Sequence, residues 1–193
     1  MITQIIILPL LCLFYIAYFA KALMLKKQGI SVDLLGKGDK PKKAARVEIV
    51  LKAITWCGAL IKFASAVYPQ WAWSFTAMLP LQVAGVVLAA SGVAFFLVAV
   101  VAMRGNWRAG FDKNQNTALV STGIYRFSRN PAFVGFDLLY IGCALCFPNV
   151  AMLAIAVIAV VAFHIQILGE EKFLMEMFGD DYAGYKNKAR RYL

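Results

Sequence analysis

Long runs of apolar residues alternate with short polar connections along the whole chain. A helix needs about 20 apolar residues to cross the hydrocarbon core of a bilayer. Runs of this kind cover residues 1–20, 81–103 and 149–168, and the last of them is interrupted only by His164 and Gln166. Each run therefore predicts one membrane-spanning helix.

Two weaker runs predict two more spans. Residues 49–68 carry Lys52 and Lys62, and residues 132–147 are short and carry Asp137. An ionisable group inside a span requires a partner or a cavity, and the two lysines are candidate partners for the aspartate. The pattern as a whole predicts an all-α membrane protein with five transmembrane helices.

The composition supports this class. The chain has 193 residues, of which 62% are hydrophobic, and its mean hydropathy is +0.70; soluble domains are closer to half apolar. The first apolar run has no basic segment before it and no small-residue cleavage pattern after it. These features favour a retained first helix over a cleaved signal peptide.

The net charge of +10 is distributed unevenly. Eight Lys or Arg residues lie in 21–48, five in 104–131 and five after Leu168, whereas 69–80 and 148–149 contain none. This alternation is what the positive-inside rule predicts for five spans with the N-terminus outside and the C-terminus in the cytosol. The basic charge then serves topology and attraction to membrane lipids. The sequence has no basic stripe with interleaved aromatic residues of the kind that would indicate nucleic-acid binding.

The last two spans are predicted to form a tight antiparallel hairpin, because only Pro148 and Asn149 connect them. The end of the fifth span then lies level with the start of the fourth, and a cytosolic helical segment follows it. If this helix continues, Gln166 and Glu170 share a face at i, i+4 spacing. A carboxylate there needs a partner, which Arg129 or a ligand could supply.

A polar stretch, STGIYRFSRNPAFVG at residues 121–135, precedes the fourth span. Asn130 is a plausible N-cap and Pro131 a first helical residue. The N–H groups of that first turn, beside Arg129, favour an anionic group. The alternative interpretation is a capped helix whose arginines extend to lipid headgroups.

Most residues capable of chemistry lie in the second half of the chain. Residues 1–103 are predicted to form three N-terminal spans with a basic cytosolic loop, and residues 104–193 a catalytic half with the cofactor site, the hairpin and the C-terminal tail. Cys143 and Cys146 form a C-x-x-C, but no further Cys or His completes a metal site. We therefore interpret them as packing residues and predict no metal.

Two linked motifs resemble those of the isoprenylcysteine carboxyl methyltransferase family and its phospholipid methyltransferase relatives. The pattern G-x-Y-x-x-x-R-[HN]-P-x-[YF]-x-G is met by Gly123, Tyr125, Arg129, Asn130, Pro131, Phe133 and Gly135. The pattern E-E-x-x-L-x-x-x-F-G-x-x-Y-x-x-Y is met by Glu170, Glu171, Leu174, Phe178, Gly179, Tyr182 and Tyr185. The resemblance covers roughly residues 118–190, under half of the chain.

The resemblance implies an integral membrane methyltransferase that uses S-adenosylmethionine, releases S-adenosylhomocysteine and has no Rossmann domain. The sequence agrees, since no G-x-G-x-x-G follows a strand pattern. Arg129 and Glu170 are the implied catalytic residues, in a pocket at the cytosolic ends of the last helices. The implied cofactor contacts are Thr117, Ala118, Leu119, Val120, Tyr125, Asn130, Pro131, Ala132, Phe133 and Glu170.

The chemistry of the cofactor suggests individual pairings, which are hypotheses. Arg129 suits its carboxylate, and Glu170 suits a ribose hydroxyl or its ammonium. Tyr125 and Phe133 suit the adenine or the sulfonium.

The chain departs from the prenylcysteine-specific members at the implied substrate-binding position. Gln166 stands where those members have an arginine thought to engage the substrate carboxylate, and an amide cannot make that bidentate pair. Arg108 or Arg126 are candidate replacements.

The leading hypothesis is methylation of a lipid-embedded acceptor that enters from the bilayer, best a prenylcysteine carboxylate on a small molecule or peptide. An amine acceptor would need a base, and His164, Glu170 and Asp137 are the only candidates, which favours a carboxylate. Phospholipid N-methylation is the alternative, and a non-catalytic membrane scaffold or transport subunit is a second. The sequence does not give the acceptor or the oligomeric state.

Overall fold

Five α-helices make up the fold of the computed structural model, which describes residues 2–76, 78–112 and 117–193. They are α1 (Ile2–Lys27), α2 (Lys42–Val67), α3 (Leu79–Met103), α4 (Pro131–Cys146) and α5 (Val150–Lys186). Short 3₁₀ turns lie at Arg104–Asn106 and Gly123–Arg126. Only isolated bridges pair extended backbone within these described ranges, so the prediction of an all-α fold is confirmed.

Four helices, α1, α2, α3 and α5, are long and apolar enough to cross a membrane. α4 has 16 residues and is shorter than a usual span. The apolar runs located all five helices, but α2 and α5 extend well beyond them. The basic residues that follow Pro41 form the first turns of α2, and α5 continues through the polar segment after residue 168.

An aromatic cluster joins four of the helices in the core. The ring of Phe14 on α1 lies 4.2 Å from that of Phe96 on α3 and 4.9 Å from that of Phe136 on α4, centroid to centroid. Phe136 in turn lies 5.1 Å from Phe163 on α5. Large rigid rings in such edge and tilted contacts fix the relative positions of the helices that carry them.

α3 and α4 form the most extensive helix contact among the described residues. Small residues permit this close approach: Gly92 on α3 faces Gly135 on α4, and Gly142 on α4 faces Gly85 and Ala89. Small residues at such spacing let backbones meet where lipid offers no hydrophobic drive for association. The contact fixes the N-terminal end of α4.

The start of α5 is fixed by a buried polar group. The Asn149 Oδ1 atom accepts a hydrogen bond from the Met152 N–H at 2.8 Å, which caps the helix. The Asn149 side-chain amide donates to the Ser65 Oγ at 3.0 Å, and the Trp71 indole N–H donates to the same hydroxyl at 3.0 Å. Asn149 thereby connects α5 to the end of α2.

The predicted pairing of Asp137 with Lys52 or Lys62 is wrong. Lys52 forms an ion pair of 2.6 Å with Asp33 in the connection before α2. Lys62 is 1% exposed, and its Nζ lies 3.3 Å from the centroid of the Tyr140 ring, a cation–π contact. Among the described residues, neither lysine forms an ion pair with Asp137.

Candidate functional site

α5 carries the first elements of the site. It continues without a break past the apolar run and changes direction only at Gly179, whose φ of 48° lies in the left-handed region. Gln166 and Glu170 therefore lie one turn apart on one face. The Gln166 Nε2 donates to the Glu170 Oε1 at 2.9 Å, which confirms the predicted shared face.

A cavity of about 450 Å³ lies where α5 meets the connections before α2 and after α3. This volume is within the usual range for small-molecule sites, about 300–1,000 Å³. The structure brings almost all of the predicted site residues to this one cavity. Its walls include Thr117, Ala118, Leu119, Val120, Tyr125, Arg129, Asn130, Ala132, Phe133, Gln166 and Glu170.

Pro131 is the predicted cofactor contact that does not line the cavity. It is buried as the first residue of α4. Asn130 occupies the predicted N-cap position and Pro131 the predicted first position of α4, but the Asn130 side chain makes no capping hydrogen bond. The Asn130 Nδ2 donates instead to the Arg191 carbonyl oxygen at 3.1 Å and to the Glu171 Oε1 at 3.4 Å.

One wall of the cavity is apolar and leads toward the outer surface of α1 and α2. Tyr15 and Phe19 on α1, Trp56 on α2 and the core rings of Phe96, Phe136 and Phe163 belong to it. The rings of Phe19 and Trp56 are 6.1 Å apart, and both side chains are also exposed on the outside of the helices. The cavity therefore reaches the surface between α1 and α2.

The basic connection between α1 and α2 covers the cavity. The Leu34 N–H donates to the Ala109 carbonyl at 2.9 Å, and the Ala109 N–H donates to the Val32 carbonyl at 2.9 Å. Val32, Asp33 and Leu35 consequently line the cavity beside Ala109. This connection, which in sequence is indistinguishable from a solvated loop, is part of the site.

Glu48, fully buried at the start of α2, anchors this cover. Its Oε2 accepts from the Lys40 Nζ at 2.5 Å and from the Gly36 N–H at 2.8 Å, and its Oε1 accepts from the Phe111 N–H at 3.3 Å. The Cβ of any residue replacing Gly110, at φ 83°, would lie 2.9 Å from the Glu48 Oε1. The glycine allows the two connections to meet around this carboxylate.

Arg129 is paired with Glu171 rather than with its neighbour Glu170. The Arg129 Nε and Nη2 donate to the Glu171 Oε1 at 3.1 and 2.8 Å, and its Nη1 donates to the Ala189 carbonyl at 2.5 Å. Successive helical residues are about 100° apart around the axis, so Glu170 faces the cavity while Glu171 faces Arg129. Arg191 completes the cluster, with its Nη2 donating to the Glu171 Oε2 at 2.8 Å.

The same cluster holds the C-terminal tail against the segment before α4. The Arg129 N–H donates to the Arg190 carbonyl at 2.8 Å, and the Arg190 N–H donates to the Phe127 carbonyl at 3.2 Å. The Tyr185 hydroxyl donates to the Tyr125 carbonyl at 2.7 Å. The two motifs are thus in direct contact, and burial raises the pKa of the Tyr125 hydroxyl far above its ordinary value. Tyr125 consequently stays neutral.

Of the three candidate bases only Glu170 lines the cavity. His164 is exposed on α5, and its Nδ1 lies 2.5 Å from the hydroxyl of Tyr192 in the tail. Asp137 is not among the lining residues either. Glu170 is the one candidate placed to act on a molecule bound in the cavity.

The two candidate replacements for the family arginine, where this chain has Gln166, also differ. Arg108 lines the cavity, whereas Arg126 is exposed and does not. Sequence reasoning left Glu48, Lys40 and Phe111 without a role. An acidic residue immediately before the apolar run at 49–68 was the available signal for Glu48.

The C-terminal part of the chain matches known proteins. The family model described as phospholipid methyltransferase matches residues 81–181. The protein-S-isoprenylcysteine O-methyltransferase of Saccharomyces cerevisiae is 39% identical over 77 residues, which are 39% of this chain and 32% of the yeast protein. The protein of the same name from Schizosaccharomyces pombe is 34% identical over 77 residues, 39% of this chain and 33% of its own. The match thus spans about a third of the length of each curated relative.

Proposed function

The chain belongs to the phospholipid methyltransferase family, and from that membership we propose that it is an integral membrane enzyme that methylates a lipid-embedded acceptor with S-adenosylmethionine. The observation that carries the proposal is the cavity. Apart from Pro131, all eleven residues implied as catalytic, cofactor-binding or substrate-binding line this cavity. Two sequence motifs separated by a helical pair thus contribute to one cavity of small-molecule size.

The residues of the cavity fit the proposed cofactor. Tyr125 and Phe133 offer aromatic faces for the adenine or the sulfonium. Glu170 offers a carboxylate whose partner in the described part of the chain is the neutral Gln166, so it can accept from a ribose hydroxyl or an ammonium. S-adenosylmethionine, when bound, supplies a methyl group on a sulfonium that a nucleophile can displace.

The protein contributes to the reaction by orienting the reacting groups and by excluding water from the cavity. Gln166 fixes the rotamer of Glu170, and the Phe111 ring, stacked 4.5 Å from that of Phe173, closes the wall beneath the cover. An in-line displacement at carbon depends on orientation and on exclusion of water. In this proposal Arg129 supports the site by holding the tail, since Glu171 and the tail carbonyls occupy its guanidinium.

The acceptor is proposed to be a prenylcysteine carboxylate, in a small molecule or a peptide. The names of both yeast relatives support this choice. The apolar wall and its opening between Phe19 and Trp56 suit a prenyl chain that enters from the bilayer. The part at 1–103 would then hold the lipid chain, and the part at 104–193 the cofactor.

One observation favours phospholipid N-methylation as a second candidate. Gln166 cannot pair bidentately with a carboxylate, and the acid beside it, Glu170, is placed to remove a proton from an amine. Product formation from N-acetyl-S-farnesylcysteine and from phosphatidylethanolamine vesicles distinguishes the two. We expect the farnesylcysteine ester alone; methylated phosphatidylethanolamine alone would establish the second candidate.

The proposed topology has five spans, with α4 and α5 as a hairpin and the cavity on the cytosolic side. The basic connections next to α2, α4 and the tail support this orientation. Protease accessibility of tags at the two termini in sealed vesicles tests it. If both tags are cleaved, or both are protected from the protease, the two termini lie on the same side of the membrane. That result would contradict an odd number of spans.

Glu170→Ala is expected to weaken binding of S-adenosylhomocysteine by about 10- to 150-fold, because a charge-assisted hydrogen bond contributes about 1.5–3 kcal/mol. Calorimetry on detergent-purified protein measures the effect. Glu176→Ala is the matched control, since Glu176 is exposed on the same helix and does not line the cavity. No binding by folded wild type would refute the enzyme; equal affinity of both variants would refute the role of Glu170.

A further inference from the structure

Three cationic side chains among the described residues line the cavity, and two of them are paired with carboxylates. Lys52 pairs with Asp33, and Arg129 pairs with Glu171. Partial burial opposes ionisation of Asp33, but hydrogen bonds from Lys52 and Lys37 outweigh it and hold the pKa of Asp33 below its ordinary value. Neither cation is therefore available to an anionic ligand without loss of an existing pair.

Arg108 is the third cation, and it has no carboxylate partner in the described ranges. Its Nη1 donates to the backbone carbonyls of Gly105 at 2.5 Å and of Trp107 at 2.8 Å. Partial burial lowers the pKa of its guanidinium, because no anion compensates the loss of hydration. The remaining edge of the guanidinium has the fork geometry that binds a carboxylate with two hydrogen bonds.

The backbone holds Arg108 in place within the wall. Trp107 before it is buried, and its ring lies 5.1 Å from that of Tyr18 on α1. Ala109 after it is paired with the cover. The Asn106 Oδ1 accepts from the N–H of Ala118, in the strip that the proposed function assigns to the cofactor. Arg108 is thus positioned where cofactor strip, cover and cavity meet.

Glu170, the unpaired acid of the cavity, does not form an ion pair with Arg108. The cavity therefore offers one carboxylate and one guanidinium at separate positions. A ligand that carries an ammonium and a carboxylate, or two ligands that carry one each, can satisfy both charges.

We propose that Arg108 is the carboxylate-binding residue of the cavity, in the role that the glutamine at position 166 cannot fill. The proposal rests on the proposed function, which supplies two carboxylates: that of the methionine part of S-adenosylmethionine and that of a prenylcysteine. Both present the same planar anion to the guanidinium. The binding experiment separates them.

Calorimetry of wild type, Arg108→Gln and Arg108→Lys tests the proposal, with Arg126→Gln as the matched control on an exposed arginine outside the cavity. The first ligand pair is S-adenosylmethionine and its decarboxylated form. The second pair, in protein saturated with S-adenosylhomocysteine, is N-acetyl-S-farnesylcysteine and its methyl ester. Melting curves verify that the variants are folded.

If Arg108 binds the cofactor, Arg108→Gln weakens the binding of S-adenosylmethionine at least about tenfold and leaves the affinity for the decarboxylated form unchanged. If it binds the acceptor, the same loss occurs for the farnesylcysteine acid and not for its ester. Arg108→Lys retains part of the affinity, since it keeps the charge without the fork. Wild-type affinity of folded Arg108→Gln for all four ligands overturns the proposal; failure of wild type to bind S-adenosylmethionine overturns the proposed function instead.

Discussion

Glu171→Met is expected to destabilise the protein by about 3–5 kcal/mol, the usual effect of removing one partner from a buried ion pair. The Arg129 side chain is 8% exposed and that of Glu171 is 7% exposed. Without the carboxylate, Arg129 keeps its carbonyl acceptors in the tail but loses its counter-charge in a buried position. The expected fall in melting temperature is on the order of 10 °C.

A double variant distinguishes charge from packing. Arg129→Met combined with Glu171→Met removes both charges, while Arg191, 36% exposed at its side chain, can turn to water. The double variant is expected to be more stable than Glu171→Met alone, because buried pairs replaced by apolar residues often lose little stability. Arg190→Met, at an exposed neighbouring arginine, is the control and should melt like wild type. Additive losses in the double variant would contradict the ion-pair account.

The same substitution should also affect ligand binding. Arg129 and Asn130 line the cavity, and both bind Glu171. Release of the tail would free the side chains that shape this wall. Loss of S-adenosylhomocysteine affinity in an Arg129 variant therefore reports on this support as well as on contact, which makes Glu170 and Arg108 the better probes of the site.

The sequence predicted the class of the protein and named many of the residues that line its cavity. Hydropathy located the five helices, because bilayer thickness imposes a length that is readable in one dimension. The i, i+4 spacing correctly placed Gln166 beside Glu170. Ten other residues that the family resemblance implied for the site line one cavity with Glu170.

The roles of adjacent residues were not readable from the motif. Glu170 and Glu171 stand next to each other and both belong to it. Which of them faces Arg129 depends on the rotation of α5 about its axis, and tertiary packing sets that rotation. From the sequence, the partner of Glu170 could be either Arg129 or a ligand. In the structure, Arg129 forms its ion pair with Glu171.

The sequence did not predict the cover of the cavity, for a different reason. Glu48 contacts Lys40 and Phe111, and the last of these is 63 positions away in the chain. Positive-inside counting assigned the lysines of this connection to topology, and it gives no information on which of them is buried. The same reasoning applies to Arg108. That it donates to backbone carbonyls and lacks a carboxylate partner among the described residues can be seen only when its neighbours in space are known.

Gly135→Leu is expected to abolish folding of the helical core, with a loss above about 3 kcal/mol. A Cβ at position 135 would lie 2.7 Å from the carbonyl oxygen of Gly92 and 2.8 Å from the backbone nitrogen of Phe96. Both atoms belong to the backbone of α3, so no rotamer change can relieve the contact. The helices would have to separate along their whole interface.

Gly135→Ala gives a graded version of this test, with an expected loss of about 1–3 kcal/mol in a folded protein. Gly184→Ala and Gly184→Leu are matched controls, because a Cβ at 184 meets nothing within 4 Å and alanine favours a helix by about 1 kcal/mol. Size-exclusion profiles and melting curves in detergent measure the order Gly184→Ala, wild type, Gly135→Ala, Gly135→Leu. Because α4 carries Ala132 and Phe133 into the cavity wall, and Asn130 directly precedes it there, folded Gly135→Ala should also bind S-adenosylhomocysteine more weakly. Stability and affinity equal to those of Gly184→Ala would show that α4 does not rely on this contact.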